Sequence, residues 1–239
     1  MTTPQPHDHI VRSLDEGQQH LLETLLRMGD MAAAQLEAAL DLLDRPDEGM
    51  AARIVANDEA IDALEREIGQ DVMHLALRGP LARDLREILA ALRIASDLER
   101  IGDLAANLAK RSRALTLAWP IAREDLQTLG RRAVRQVREA LAAYRARDAV
   151  AAQRVRGADA ELDLLHTGLF HELLGWMRQD AGAVSPGTHL LFMAKNLERI
   201  GDHATNIAES VCFLVEGDDA LPPREKRDDA SLPSALPRS

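Results

Sequence analysis

The chain has 239 residues, of which 46% are hydrophobic and only 3% aromatic, and its formal net charge is −10 at neutral pH. A chain of this length can bury a core without disulfides, and its abundance of Ala, Leu and Arg favours helices over strands. The acidic balance argues against a nucleic-acid partner, because binding a phosphate backbone needs a basic face.

The N-terminal residues and the single cysteine indicate in which cellular compartment the protein is expected. Residues 1–13 contain neither a basic start nor an apolar core, so we expect no secretion signal and interpret them as a flexible leader. No uninterrupted apolar stretch approaches the roughly 20 residues of a membrane span. Cys212 lies between Val211 and Phe213 and predicts a buried thiol in a reducing cytosol. We therefore expect a cytoplasmic protein without direct membrane insertion.

The first half of the chain, residues 14–118, has the pattern of three long helices. Apolar residues at helical spacing predict a helix from about 14 to 43, which ends before Pro46. A second helix is predicted over about 47–77 and a third over about 80–117.

The pattern starts again after Trp119-Pro120, in residues 121–216. Three more helices are predicted, over about 123–145, 148–177 and 186–215. Residues 217–239 are charged and rich in proline without any period, which is typical of a disordered tail.

The third and sixth helices carry the same motif. The six residues 98–103 are identical to residues 197–202, and the longer segments 98–111 and 197–210 share nine residues in fourteen. The sequence therefore predicts an all-α fold of two repeated three-helix bundles, with six long helices.

Acidic residues follow one side of the third helix in each half. On a helical wheel the apolar residues form one stripe, and the acids and an amide centre on the opposite side. The stripe consists of Leu98, Ile101, Ala105 and Leu108, and the opposite side of Glu99, Asp103 and Asn107, repeated as Glu198, Asp202 and Asn206. We expect the stripe to be buried and the acidic side to be largely exposed.

The second helix of each half adds a further acidic pair. Antiparallel packing of the second and third helices would bring four carboxylates together in each half. The candidate metal ligands are Asp58, Asp62, Glu99 and Asp103 in the first half and Asp159, Asp163, Glu198 and Asp202 in the second. Like charges four residues apart repel, which favours a neutralising cation. That cation is either a metal ion or an arginine such as Arg100 or Arg199, and spacing leaves both possibilities open.

Other residues give weaker signals. The pairs Asp71 with His74 and Asp163 with His166 resemble the Glu-x-x-His pattern of di-iron proteins, but they use aspartate and do not match between the halves. His203 stands where the first half has Leu104, so we interpret it as a local addition. The chain has no glycine-rich phosphate loop and no nucleophile elbow, and we expect no enzyme.

The segments 78–111 and 196–210 resemble the PhoU family. The resemblance implies a regulator of the phosphate-specific transport system that holds the phosphate-starvation response off. It also implies two partners, the ATPase subunit of the phosphate ABC transporter and a sensor histidine kinase. Iron or zinc, in multinuclear clusters on the eight acidic positions, is implied as well. In the second half the residues around Asp163 depart from those of the first.

Two rival functions remain. A metal-storage protein would have metal binding by the carboxylate clusters as its function. A plain structural bundle would use the clusters neither for metal nor for partners. Storage sites usually combine imidazole with carboxylate, whereas these clusters contain carboxylate and amide. This difference favours an adaptor between the transporter and the kinase over a storage protein. We expect a homodimer, because two-fold assemblies are the commonest oligomers.

Overall fold

The computed structural model of the chain describes residues 6–79, 82–115 and 123–217. Within these ranges the chain forms six α-helices and no strand, which confirms the predicted all-α fold. The helices are α1 (Pro6–Asp44), α2 (Glu48–Ala76), α3 (Ala82–Ser112), α4 (Arg123–Ala146), α5 (Ala149–Gln179) and α6 (Val184–Glu216), and a short 3₁₀ turn, Ala181–Ala183, leads into α6.

Most helix boundaries lie within two or three residues of the predicted ones, with two differences. The helix α1 begins at Pro6, so residues 6–13 of the predicted leader are helical. The helix α3 ends at Ser112, about five residues before the predicted end. Residues 1–5, the Trp119-Pro120 boundary and the tail from 218 onwards lie outside the described residues.

The repeat extends to the way the second helix of each half begins. The side chain of Asp47 accepts a hydrogen bond from the backbone N–H of Met50, at 2.8 Å. Asp148, 101 residues later, accepts from the N–H of Ala151, at 2.9 Å. An aspartate at this position satisfies a backbone donor that the first turn leaves open and suits the positive end of the helix.

The two bundles share one hydrophobic core. Helices α1, α2 and α3 pack together, as do α4, α5 and α6, and the halves meet where α3 packs on α6 and α1 packs on α4. Buried apolar residues of both halves form a single cluster. The predicted stripe of Leu98, Ile101, Ala105 and Leu108 is buried in it, with at most 1% of each residue exposed.

No helix in the described ranges is long and apolar enough to cross a membrane. The thiol of Cys212 is buried, as predicted, and its burial raises the pKa of the thiol above its usual value.

Candidate functional site

The four acidic residues of the first half converge where α2 packs on α3. Asp58 and Asp62 come from α2, Glu99 and Asp103 come from α3, and all four are partly buried. The side chain of Gln35 in α1 donates to Asp58 Oδ1 and to the carbonyl oxygen of Gly102, both at 3.1 Å. Three helices therefore contribute polar groups to this cluster, which we call the first cluster.

The glycine of the repeated motif brings the two helices close together. A Cβ atom at Gly102 would lie 2.9 Å from Ile61 Cδ1 and 3.3 Å from Asp58 Oδ1. At Gly201, its counterpart, a Cβ would lie 3.0 Å from Gln136 Oε1 and 3.1 Å from a methyl carbon of Leu162. A larger residue would push the acidic helices apart, which explains why both copies of the motif contain glycine.

Burial, with a smaller contribution from neighbouring carboxylates, raises the pKa of two residues of the first cluster, Asp58 and Glu99. Burial raises the pKa of Asp58, the hydrogen bond from Gln35 opposes this, and the charges of Asp103 and Asp62 raise it further. Burial also raises the pKa of Glu99, with a further increase from Asp103 that the charge of Arg100 partly offsets. Carboxylates of α2 and α3 therefore lie close enough for their charges to act on one another.

An arginine pairs with two of these carboxylates on the solvent side. Arg100 Nε lies 3.1 Å from Glu99 Oε2, and Arg100 Nη1 lies 3.1 Å from Asp103 Oδ2. The Arg100 side chain is 55% exposed, so the ion pairs are screened by water and hold it weakly. The arginine alternative considered from the sequence is thus realised here, in an arrangement that a competing cation could displace.

The acids of the second half, which we call the second cluster, are more deeply buried. Asp159, Asp163 and Glu198 are each 2–3% exposed, and Asp202 is partly buried. Lys195 Nζ lies 2.9 Å from Glu198 Oε2 and helps to cover it, whereas the corresponding first-half residue is the shorter Ser96. The two clusters therefore differ in their access to solvent.

The prediction that the acidic side of the third helix is largely exposed was wrong for the glutamates. Glu198 is buried, and the Glu99 side chain is only 15% exposed, although Asn107 is exposed. The reason is that the second helix of each half packs against this side of the third. A wheel drawn for one helix cannot show that contact.

Two buried glutamines were missed by the sequence analysis. Gln35 and Gln136 lie 101 residues apart in α1 and α4 and are 6% and 3% exposed. Gln35 bonds to the first cluster, but neither side-chain polar atom of Gln136 has a hydrogen-bond partner among the described residues. An amide buried in this way is costly unless a further group meets it. Asp58 and Asp62 are also 101 residues from Asp159 and Asp163, and this shared spacing is the sequence signal that could have identified the two glutamines.

From the sequence His166 gave only a weak signal for a metal ligand, yet it is on the same face of α5 as two acids of the second cluster. It follows Asp159 by seven residues and Asp163 by three, so the three share one face of α5, and it is 3% exposed. The corresponding residue of the first half, 101 positions earlier, is Glu65. The second cluster therefore has an imidazole where the first has a carboxylate.

His203 connects the two repeats. Its Nδ1 lies 2.9 Å from Asp97 Oδ1 in α3, and Asn206 Nδ2 donates to the same oxygen at 3.1 Å. The local addition seen in the sequence thus contacts the neighbouring repeat.

The comparison with known protein families finds one match in each half of the chain. The family model of the PhoU domain matches the chain twice, over residues 25–112 and 126–211. The phosphate-specific transport system accessory protein PhoU homolog of Xylella fastidiosa (strain 9a5c) is 57% identical, over 93% of this chain and 95% of that protein. A protein of the same description from Rhizobium meliloti (strain 1021) is 40% identical, over 93% and 95% of the two chains.

Solved structures show the same arrangement of helices. The crystal structure of PhoU from Pseudomonas aeruginosa superimposes with a TM-score of 0.83 and 33% identity, covering 85% of this chain and 99% of that one. The phosphate transport system regulatory protein PhoU from Streptococcus pneumoniae gives a TM-score of 0.82 and 28% identity, covering 87% and 100%.

Proposed function

The chain belongs to the PhoU family, and from this we propose that it is a cytoplasmic negative regulator of the phosphate-starvation response. It acts as an adaptor between a phosphate ABC transporter and a sensor histidine kinase. Its relatives are described as accessory proteins of the phosphate-specific transport system, which supports a place beside that transporter. The partners proposed are the ATPase subunit and the kinase.

The observation that best supports the adaptor role is that two related acidic clusters lie on one shared hydrophobic core. Each half carries acidic residues at the junction of its second and third helices, and one hydrophobic core joins the two halves. A single chain therefore holds two similar but unequally exposed acidic clusters at a fixed separation. This arrangement suits a protein that contacts two partners and performs no catalysis itself. A homodimer would double the number of such clusters.

We also propose that the two clusters bind multinuclear iron or zinc. Four carboxylates in each half supply the oxygen ligands that hard and borderline cations prefer. Burial and the neighbouring carboxylates raise the pKa of Asp58 and of Glu99, which supports a place for a cation in the first cluster, and the buried amide of Gln136 lies beside the second cluster. We propose that Asp58, Asp62, Glu99 and Asp103 hold one cluster. The other would be held by Asp159, Asp163, Glu198 and Asp202. A metal ion there would neutralise the carboxylates and draw the second and third helices of each half together.

Metal storage is the second candidate function. The buried imidazole of His166 favours it, since storage and redox sites commonly combine histidine with carboxylates. The first cluster has no such histidine at the matching position, Glu65, so storage would rest on one half alone.

A deletion strain tests the adaptor role. Grown with ample phosphate, it should express phosphate-starvation genes constitutively, measured with a reporter fusion. The full-length protein should restore repression, and so should a chain truncated after Gly217, because the helices end there. Normal repression in the deletion strain would remove support for the adaptor and leave metal storage as the leading candidate.

A further inference from the structure

A histidine and two carboxylates meet on the first half of the molecule, where α1 packs on α2. His20 Nε2 lies 3.6 Å from Glu67 Oε1 and 3.5 Å from Asp71 Oδ2. One ligand atom of each residue lies within 4.8 Å of the other two. We call these three residues the triad.

The triad is separate from both acidic clusters. Glu67 follows Asp58 by nine residues, which turns the helix by about 180° and advances it by about 13 Å. It therefore lies on the other side of α2 and farther along it. The second half does not repeat the triad, because the residues 101 positions after Glu67 and Asp71 are Gly168 and Glu172. The duplicated clusters do not account for it.

The distances within the triad suit an ion better than direct hydrogen bonds. Hydrogen bonds between nitrogen and oxygen are usually about 2.7–3.2 Å long, shorter than both of the separations here. Ligands placed about 2.0–2.2 Å from a tetrahedral ion lie about 3.3–3.6 Å from one another. The 3.5 and 3.6 Å separations match that spacing.

The inner carboxylate oxygen gives an independent indication. Asp71 Oδ2 is shielded from solvent and accepts no hydrogen bond among the described residues. A buried carboxylate oxygen without a donor is costly, and a cation placed beside it removes the cost. The other oxygen of the second carboxylate, Glu67 Oε2, lies 3.5 Å from Arg27 Nη2 in an ion pair, which leaves Oε1 directed to His20.

We propose that His20, Glu67 and Asp71 form a mononuclear site for a divalent transition metal, best suited to zinc. Zinc is bound by imidazole nitrogen and by carboxylate oxygen, and where a protein supplies three ligands a water molecule completes the tetrahedron. The ion joins α1 to α2 through side chains 47 positions apart in the sequence. Binding weakens as the pH falls, because protons compete for the imidazole.

The test uses the full chain, stripped of metal with a chelator and labelled with ¹⁵N-histidine. Titration with zinc should shift the ring nitrogen resonances of His20 and saturate with one ion for this site. The resonances of His20 separate the triad from the acidic clusters, whose only histidine is His166, so the outcome does not depend on the adaptor role. Glu67→Gln combined with Asp71→Asn should abolish the shift or weaken the affinity at least about tenfold.

A thermal melt provides the second measurement. Zinc should raise the melting temperature of the unmutated protein, and His20→Ala should lose the part of this increase that the triad supplies. His171→Ala removes an exposed histidine of α5 and is the matched control, which should retain the full increase. The proposal is overturned if His20 resonances stay unchanged at saturating zinc, or if they shift equally in the Glu67→Gln, Asp71→Asn variant.

Discussion

Gly130 in α4 lies directly against Leu40 in α1, since a Cβ atom built on the glycine would come within 2.3 Å of the leucine Cδ2. The reciprocal contact, between Gly29 and Leu141, would bring a Cβ within 2.5 Å. Each residue of one pair lies 101 positions from its equivalent in the other. The interface between α1 and α4 therefore has an approximate two-fold axis, with a leucine packed over a glycine on either side.

Gly130→Ala should destabilise the protein by about 1–2 kcal/mol. The added methyl group displaces Leu40 at a typical cost of about 1–3 kcal/mol, and the better helix propensity of alanine recovers up to about 1 kcal/mol. Gly157→Ala is the control, because nothing lies within 4 Å of a Cβ at that exposed helical position. It should stabilise by about 0.5–1 kcal/mol. Urea unfolding measures both, and a stabilised Gly130→Ala variant would contradict the close packing of α1 and α4.

The contact between Asp97 and His203 should contribute measurably to holding the repeats together. Asp97 also accepts from Asn206, and its side chain is only 15% exposed. Asp97→Ala leaves both partners without their acceptor, so it should lower the free energy of unfolding by about 1–3 kcal/mol. The control is Asn196→Ala, at the equivalent position of α6, which should change stability by less than about 0.5 kcal/mol. Equal effects of the two variants in urea unfolding would show that the contact between repeats contributes nothing specific.

The helices and the core were predictable because they depend on local periodicity. The spacing of Leu98 and Ile101 selects the buried side of α3, and proline and glycine mark the ends of several helices. The duplicated motif likewise identified the acidic positions that are equivalent in the two halves, since the repeat compares two copies of the same three-helix packing.

The surroundings of the site were less predictable because they depend on contacts between helices. The burial of Glu198 requires knowing that α5 and Lys195 cover it. Gln35 stands in a mostly apolar stripe of α1, where a lone polar residue gives no signal until its offset from Gln136 is noticed. The meeting of His20 with Glu67 depends on the register between α1 and α2, which periodicity does not determine.

Asp58→Asn should stabilise the metal-free protein at neutral pH. The raised pKa of Asp58 means that the folded state holds the proton more tightly than the unfolded chain does, so ionisation costs stability as the pH rises through that pKa. The asparagine oxygen can still accept from Gln35. Solvent screening keeps the gain small, and we expect the melting temperature to rise by about 1–3 °C at pH 7.

The pH dependence of that gain identifies its cause. Below about pH 3 the aspartate is protonated in both folded and unfolded states, so the two proteins should melt together. Asp15→Asn, at an exposed position of α1, is the matched control and should leave the melting temperature nearly unchanged at both pH values. A gain for Asp58→Asn that persists undiminished at pH 3 would show that the ionisation of Asp58 is not its source.

Protein purified without chelator should retain transition metal after desalting, and Asp103→Ala combined with Asp202→Ala should lower the amount. These two aspartates stand at equivalent positions of the two clusters, so the double variant removes one proposed ligand from each. Elemental analysis by mass spectrometry measures the metal per chain. Asp30→Ala combined with Asp44→Ala makes the same change in net charge at exposed positions outside the clusters and should leave the content unchanged.

The two clusters should lose metal unequally, because their burial differs. Asp103 belongs to the more open cluster, where Arg100 already neutralises part of the charge, whereas the second cluster is nearly closed to solvent. A chelator should therefore strip the first cluster faster, and Asp103→Ala alone should remove mainly the fast-exchanging fraction. Asp202→Ala alone should remove the slow fraction. Metal at background in the unmutated protein would reject both sites, and a single rate of release from all sites would reject the difference in access between them.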